Sequence, residues 1–184
     1  MPKIALLGDS IRGNYEPHIR KLAGDAADIR SPDENCRFSA YTLFNLAVWI
    51  PDDDYDVIHW NNGQWDTCYM PDGKIHTPLS QYLELQKRIA DIALKRSKRA
   101  IFATTSPVYP EQFEKAERNG RKNEDIVEYN QRATEQLSAM GVEINDLHAA
   151  LVQDVKTYIC DDMVHLSEAG AARCAEQVWE MVGS

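Results

Sequence analysis

Lys3-Ile4-Ala5-Leu6-Leu7-Gly8-Asp9-Ser10 is the stretch on which the fold turns. A short apolar run, Ile4 to Leu7, stopped by a glycine predicts a buried strand rather than a helix. Gly8 permits a sharp turn, and Asp9 can brace that turn by accepting backbone N–H groups. Ser10 then stands just beyond the carboxyl end of the strand. In open α/β sheets that is where ligands bind, near the point where strand order reverses. Taken alone, Gly-Asp-Ser reads sooner as an ordinary turn that caps a helix.

The same pattern recurs outward from this stretch. Tyr55–Trp60, Ala100–Thr105 and Val142–Asn145 are further short apolar runs, and the rhythm of the chain places another strand near Asp28–Arg30. Helical periodicity lies between them. Leu79, Tyr82, Leu83, Ile89 and Ile92 fall on one face. So do Ile126, Ala133, Leu137 and Met140, with Asn123 as the expected N-cap and Gly141 as the expected C-terminal cap. Tyr41–Ile50 is a third helix, and a last one follows Ser167 and buries Ala171, Cys174, Val178 and Met181 or Val182. Alternation of strand and helix argues for a parallel sheet flanked by helices. No repeat, low-complexity tract or linker divides the chain, so residues 1–184 are expected to form a single domain. Two long irregular stretches, Gly63–Pro78 and Ser106–Asn123, are of the kind that shape a site in such a domain. The second is highly charged and reads also as a solvated surface excursion.

Composition narrows the classes of partner. With 184 residues, 43% hydrophobic, the chain can bury a core of its own. A formal net charge of −9 repels phosphate backbones and anionic lipid, so nucleic acid and membranes are poor partners. No apolar run approaches the roughly 20 residues of a spanning helix. Met1-Pro2-Lys3 leads at once into the first strand with no signal-peptide pattern, so the expected location is cytoplasmic, although a chain trimmed of its leader would read the same. Cys36, Cys68, Cys160 and Cys174 share no metal-ligand spacing and read as free thiols. A Cys36–Cys68 bridge has no support from the sequence. His18, His76 and His148 lack a partner at ligand spacing, and His59 falls inside a strand, so neither a metal nor another cofactor is expected.

A second segment, Asp162-Met163-Val164-His165, completes what Ser10 begins. His165 precedes the cap of the last helix and so belongs to a loop. Asp162, three residues upstream, can fold back to accept the Nδ1–H, which leaves Nε2 to take a serine proton. Asp161 is the competing acid at a spacing one longer. Ser10, His165 and Asp162 are together the nucleophile, base and orienting carboxylate of serine acyl transfer.

This combination resembles the SGNH, or GDSL-type, hydrolase family. The resemblance runs from Gly8-Asp9-Ser10 to Asp162-Met163-Val164-His165-Leu166-Ser167-Glu168-Ala169-Gly170, through Asn130–Leu137 and Ile144-Asn145-Asp146-Leu147. It implies a three-layer α/β/α sandwich around a five-stranded parallel, doubly wound (flavodoxin-like) sheet, and an esterase or lipase acting through an acyl-serine without metal. Two blocks depart from the family pattern. Where a glycine N–H normally serves the oxyanion hole, the chain reads Ser31-Pro32-Asp33-Glu34-Asn35-Cys36-Arg37-Phe38-Ser39, so an N–H of Asn35, Cys36 or Arg37 is the expected substitute beside that of Ser10. Where Gly-x-Asn-Asp is normal, the chain reads Gly63-Gln64-Trp65-Asp66. An amide from Asn61 or Asn62 is therefore slightly favoured over the Trp65 indole as the side-chain donor.

Residues near the expected mouth hint at the substrate. Arg12, Tyr15, Arg37, Asn61, Gly63, Trp65 and Tyr69 combine aromatic rings with polar groups, which suits a sugar, and the arginines suit a carboxylate or phosphate. Each arginine reads also as a loop pin for Asp33, Glu34 or Asp66. The leading expectation is an esterase for a short acyl group, acetyl on a carbohydrate above all. The alternatives are a noncatalytic carbohydrate- or ligand-binding module with a degraded oxyanion hole, and a nucleotide- or phosphate-binding protein. The absence of a Gly-rich fingerprint counts against the last.

Overall fold

A computed structural model describes residues 1–109 and 120–184. In chain order the described elements are β1 (Lys3–Gly8), α1 (Ser10–Ala23), β2 (Asp28–Arg30), α2 (Ser39–Trp49), β3 (Tyr55–Asn61), α3 (Leu79–Arg96), β4 (Ser97–Ala103), α4 (Asn123–Ala139), β5 (Glu143–Asn145), α5 (Leu147–Val152), α6 (Val155–Tyr158) and α7 (Glu168–Val182). The five strands form one parallel sheet in the order β2-β1-β3-β4-β5.

Period-two alternation distributes the strand residues between two cores. Ile4, Leu6, Val57, Ile101 and Ala103 face α1, α5 and α7. Ala5, Leu7, Ile58, Trp60, Ala100 and Phe102 face α2, α3 and α4. Because both faces are covered, the strands are apolar almost throughout, which is why their sequence signal is a run and not an alternation. The edge strand β2 has no such run: Ile29 is only half-buried and Arg30 is exposed, so rhythm alone marked it.

Register levels the carboxyl ends. Gly8 pairs with Asn61, Asn61 with Ala103, and Ala103 with Asn145, so the loops after β1, β3, β4 and β5 leave from one rim. Strand order reverses between β1 and β3, and the crevice at that switch point opens beside Ser10.

One helix start and one strand span differ from expectation. Asn123 does not cap α4. It is the helix's first residue, and its side-chain amide pairs with both backbone groups of Val108, at 3.0 and 2.9 Å, so it fastens the loop after β4. The fourth strand spans Ser97–Ala103 rather than Ala100–Thr105, because Thr105 leaves the sheet to pair its backbone N–H and C=O with the Asn130 amide. Ser167 does cap α7, its Oγ accepting from Gly170 N at 3.1 Å, and Val182 rather than Met181 completes the buried face. Gly141 ends α4 with φ 89°. Of the expected loop 106–123, residues 110–119 lie outside the described residues. None of the four cysteines is in a disulfide, so no Cys36–Cys68 bridge forms.

Candidate active site

Ser10 owes its place to the turn before it. Asp9 is the N-cap of α1, its Oδ1 accepting from Ile11 N at 2.9 Å, so the chain bends sharply and Ser10 becomes the first helical residue. The same Oδ1 accepts from Asn61 Nδ2 at 2.9 Å, tying the turn to the end of β3. Gly8 allows this approach, since a Cβ there would lie 2.2 Å from Asn61 Oδ1. Burial raises the Asp9 pKa against the hydrogen bonds from Ile11 and Asn61.

The loop between α6 and α7 brings the other end of the chain to Ser10. His165 Nε2 lies 2.8 Å from Ser10 Oγ, and His165 Nδ1 lies 2.5 Å from Asp162 Oδ2. The loop is held by its own carboxylate: Asp162 Oδ1 accepts from His165 N at 2.9 Å, Val164 N at 3.0 Å and the Cys160 thiol at 3.2 Å. Partial burial pushes the Asp162 pKa up. The hydrogen bonds from His165 and Val164 N–H, the imidazole and the thiol outweigh it and hold the carboxyl well below its ordinary value. Met163 adopts φ 76°, its N–H donating to Cys160 O and its carbonyl accepting from Tyr109 N, both at 2.9 Å. The loop is pinned across the crevice by Asn14, whose Oδ1 accepts from Leu166 N at 3.1 Å. Asp161 is exposed and stays out of the relay.

The candidate oxyanion donors separate by what already holds them. Cys36 N–H donates to Gly8 O at 3.0 Å, so Cys36 is not an available donor. Arg37 N–H is taken by Asn35 Oδ1 at 2.7 Å. Both asparagine amides are engaged as well: Asn61 Nδ2 with Asp9, and Asn62 Nδ2 with Thr42 Oγ1 at 2.9 Å and Arg37 O at 3.3 Å. The slight preference for an asparagine therefore reverses. Among the described residues, the N–H groups of Ser10 and Asn35 and the indole N–H of Trp65 carry no hydrogen bond, and Trp65 is 39% exposed. Ser10 N–H belongs to the first turn of α1, where a helix leaves its donors without an intrahelical acceptor.

Several expected substrate residues turn out to hold the walls. Arg12 is buried; its guanidinium pairs with Glu16 and donates to Glu34 O at 2.8 Å. Tyr15 is wholly buried, edge-on to His59, and its hydroxyl donates to Asn61 Oδ1 at 3.1 Å. Both lie on the inner face of α1, which packing claims for the core. Gly63, at φ 146°, packs against Thr105 at the base of the loop after β3. Arg37 is exposed at φ 52°, its guanidinium stacked 4.5 Å from the Tyr41 ring centroid. Tyr69 is partly exposed; its hydroxyl donates to Asp125 at 2.9 Å and its N–H to Gly120 O at 2.9 Å. Asp66, in the same loop, is buried beneath α2 and accepts from Ser39 N. Burial carries its pKa up to about 6.

Three contributors carried no sequence signal. Gln64 anchors the loop after β3 by donating to Ser106 O at 2.7 Å and Ser106 Oγ at 2.9 Å. Cys160 braces Asp162 from two residues upstream, too close for any motif to flag. Arg121 donates from Nε to Gln64 O, although it lies 57 residues away in sequence. Among the described residues, no group of three or more His, Cys, Asp or Glu side chains is placed to hold a metal ion. Nor is any helix there long and apolar enough to cross a membrane.

The architecture has close counterparts among solved structures. A lipase/acylhydrolase from Enterococcus faecalis superimposes with a TM-score of 0.81 at 17% identity, over 100% of this chain and 96% of that one. The acetyl xylan esterase AlAXEase gives 0.78 at 16% identity, over 98% and 99%. A member of the lipolytic G-D-S-L family from Veillonella parvula gives 0.75 at 14%, over 98% and 97%. The fold is that of the SGNH hydrolases. No protein-family model matches the sequence, and no curated protein matches it. The likeness therefore lies in the path of the backbone.

Proposed function

We propose that the protein is a serine esterase that removes a short acyl group, acetyl in the first instance, from a carbohydrate alcohol. The single observation that carries the reading is the hydrogen-bonded row Ser10 Oγ–His165 Nε2–Asp162, at 2.8 and 2.5 Å. His165 takes the Ser10 proton as Oγ attacks the ester carbonyl. Asp162, held ionised by its hydrogen bonds, keeps the Nδ1–H pointed at itself and stabilises the imidazolium. The tetrahedral oxyanion finds the N–H groups of Ser10 and Asn35 and the Trp65 indole. As the carbon–oxygen bond breaks, His165 returns the proton to the departing alcohol. Water, deprotonated by the same imidazole, then attacks the acyl-serine and releases the acid. Trp65 and Tyr69 supply rings at the mouth for a sugar, and acetyl xylan esterases are among the proteins of like fold.

A fluorophosphonate tests the assignment directly. Its phosphorus is expected to bond to Ser10 Oγ with loss of fluoride, giving one adduct that Ser10→Ala abolishes along with turnover of p-nitrophenyl acetate. Labelling that persists in Ser10→Ala would end the reading. The engagement of Cys36 N–H and both asparagine amides favours a second reading, a ligand-binding module with a depleted oxyanion hole. That reading predicts affinity for the sugar with no turnover, and no change in the blank rate on substituting His165.

A further inference from the structure

Arg121 presents a guanidinium that the fold places but does not use up. Its Nε donates to Gln64 O, and the neighbouring Gly120 O accepts from Tyr69 N at 2.9 Å, so the segment is fastened to the loop that follows β3. The side chain is partly buried, and burial lowers its pKa against the opposing charges of Asp9 and Asp162. Gln64 lies three residues beyond Asn61, whose Nδ2 holds Asp9 at 2.9 Å next to the nucleophile, so the arginine is fastened to the loop that leaves the Ser10 rim of the sheet. Among the described residues it forms no ion pair, and its Nη groups carry no hydrogen bond. Asp162 cannot serve as the partner, since its oxygens already receive four donors.

A half-buried guanidinium without a carboxylate is costly for a fold to keep. The other arginines near the crevice show the usual solutions: Arg12 is neutralised by Glu16, and Arg37 lies out in solvent over Tyr41. Arg121 has neither. The planar, two-pronged array of N–H groups on a guanidinium matches a carboxylate. On a chain of net charge −9, a local cation is also needed to draw an anion in at all.

We propose that Arg121 binds an anionic group of the substrate, so that the site takes esters bearing a carboxylate close to the scissile bond. The proposal rests on the esterase reading above and names its substrate class. The carboxylate can sit on the acyl side, as in a dicarboxylic half-ester, or on the alcohol side, as in an acetylated uronic acid, and the two are separated by assay.

The test compares kcat/KM for two matched pairs: p-nitrophenyl hemisuccinate against p-nitrophenyl acetate, and acetylated glucuronic acid against acetylated glucose. The wild-type protein is expected to favour the anionic member of one pair by about 10- to 100-fold, the scale of a charge-assisted hydrogen bond. Arg121→Gln removes that preference, and Arg121→Lys, which keeps the charge but not the fork, restores only part of it. A wild-type ratio near one for both pairs, or a ratio unchanged in Arg121→Gln, overturns the proposal. If Arg121→Gln does not fold, the wild-type ratios and Arg121→Lys decide. If no ester is turned over and Ser10 is not labelled, the esterase reading fails by itself. Calorimetric binding of succinate then decides on Arg121. A Kd at least tenfold weaker in Arg121→Gln supports an anion site, and equal Kd values, or no binding to the wild-type protein, overturn it.

Discussion

Asp162→Asn separates the chemistry of the relay from its architecture. Asp162 Oδ1 holds the loop by accepting from His165 N, Val164 N and Cys160, and an asparagine keeps that oxygen. Only the atom facing His165 Nδ1 across 2.5 Å changes, from an acceptor to an N–H donor. Nδ1 must then accept, so the proton moves to Nε2, the nitrogen 2.8 Å from Ser10 Oγ. A protonated Nε2 cannot take the serine proton, and loss of kcat should approach the ~10⁴-fold of a triad forced into the wrong tautomer, about 5 kcal/mol. Folding should hardly notice. The carboxylate is 38% exposed and the imidazole 39%, so the ion pair itself contributes at most ~1 kcal/mol, and Tm should fall by only about 2–4 °C. Steady-state hydrolysis of p-nitrophenyl acetate, the rate of fluorophosphonate labelling and a thermal melt read the three quantities. An Asp162→Asn protein within tenfold of wild type in kcat would refute the relay, because no other carboxylate among the described residues contacts His165.

Three further outcomes follow from specific contacts. Trp65→Phe keeps a stacking ring and removes the indole donor, so kcat for p-nitrophenyl acetate should drop about 10²-fold; an unchanged kcat would remove Trp65 from the oxyanion hole. A Cβ on Gly170 would lie 2.2 Å from Tyr158 O, a backbone atom that also accepts from Ser167 N. Gly170→Ala should therefore cost about 1–3 kcal/mol of stability and disturb the His165 loop enough to lower kcat by roughly 10²-fold; a melt and a rate equal to wild type would show that α7 can shift freely. Asp66, with a folded-state pKa of about 6 against 3.8, makes the folded protein the better proton binder between those values, so its contribution is fullest below about pH 4 and is lost as the pH rises to about 6. Asp66→Asn should be the more stable protein at about pH 8, by up to roughly 3 kcal/mol, with the advantage shrinking towards about pH 4; urea melts across that range would contradict this if the difference were flat.

What the sequence disclosed and what it hid divide along physical lines. The central strands were legible because burial on both faces forces runs such as Ile4–Leu7. The meeting of Ser10 with His165 was legible because each lies beside a strong local signal, a glycine-stopped strand and a serine-capped helix. The oxyanion donors were not legible, because a donor's availability depends on which acceptor already holds it. Cys36, Asn61 and Asn62 look like donors by type, and only the contacts with Gly8 O, Asp9 and Thr42 show them engaged. Tyr15 and Arg12 misled in the same way. Their positions just after Ser10 suggested the mouth, but helical geometry turns them inward, onto Asn61 and Glu16. The missing second-block glycine has a local answer of its own. Arg37 takes a left-handed φ of 52°, steadied by Asn35 Oδ1 on its N–H and by Tyr41 under its guanidinium.

Local backbone and hydrogen-bonding cost gathers around this crevice, as suits the proposed function. The non-glycine residues with positive φ among those described are Arg37 and Met163, both in loops at the rim, where strain of about 1–3 kcal/mol each must be offset by the surrounding fold. Of the six buried side-chain atoms without a hydrogen-bond partner among the described residues, Asp9 Oδ2, Asn62 Oδ1 and Gln64 Oε1 lie in the turn after β1 and the loop after β3, and Arg12 Nε lies in the first turn of α1. A domain optimised for stability alone would scatter such defects or remove them, since each unsatisfied buried group costs about 1–3 kcal/mol. Their concentration at the switch point of the sheet is where the proposed esterase would receive a hydrogen-bonding substrate.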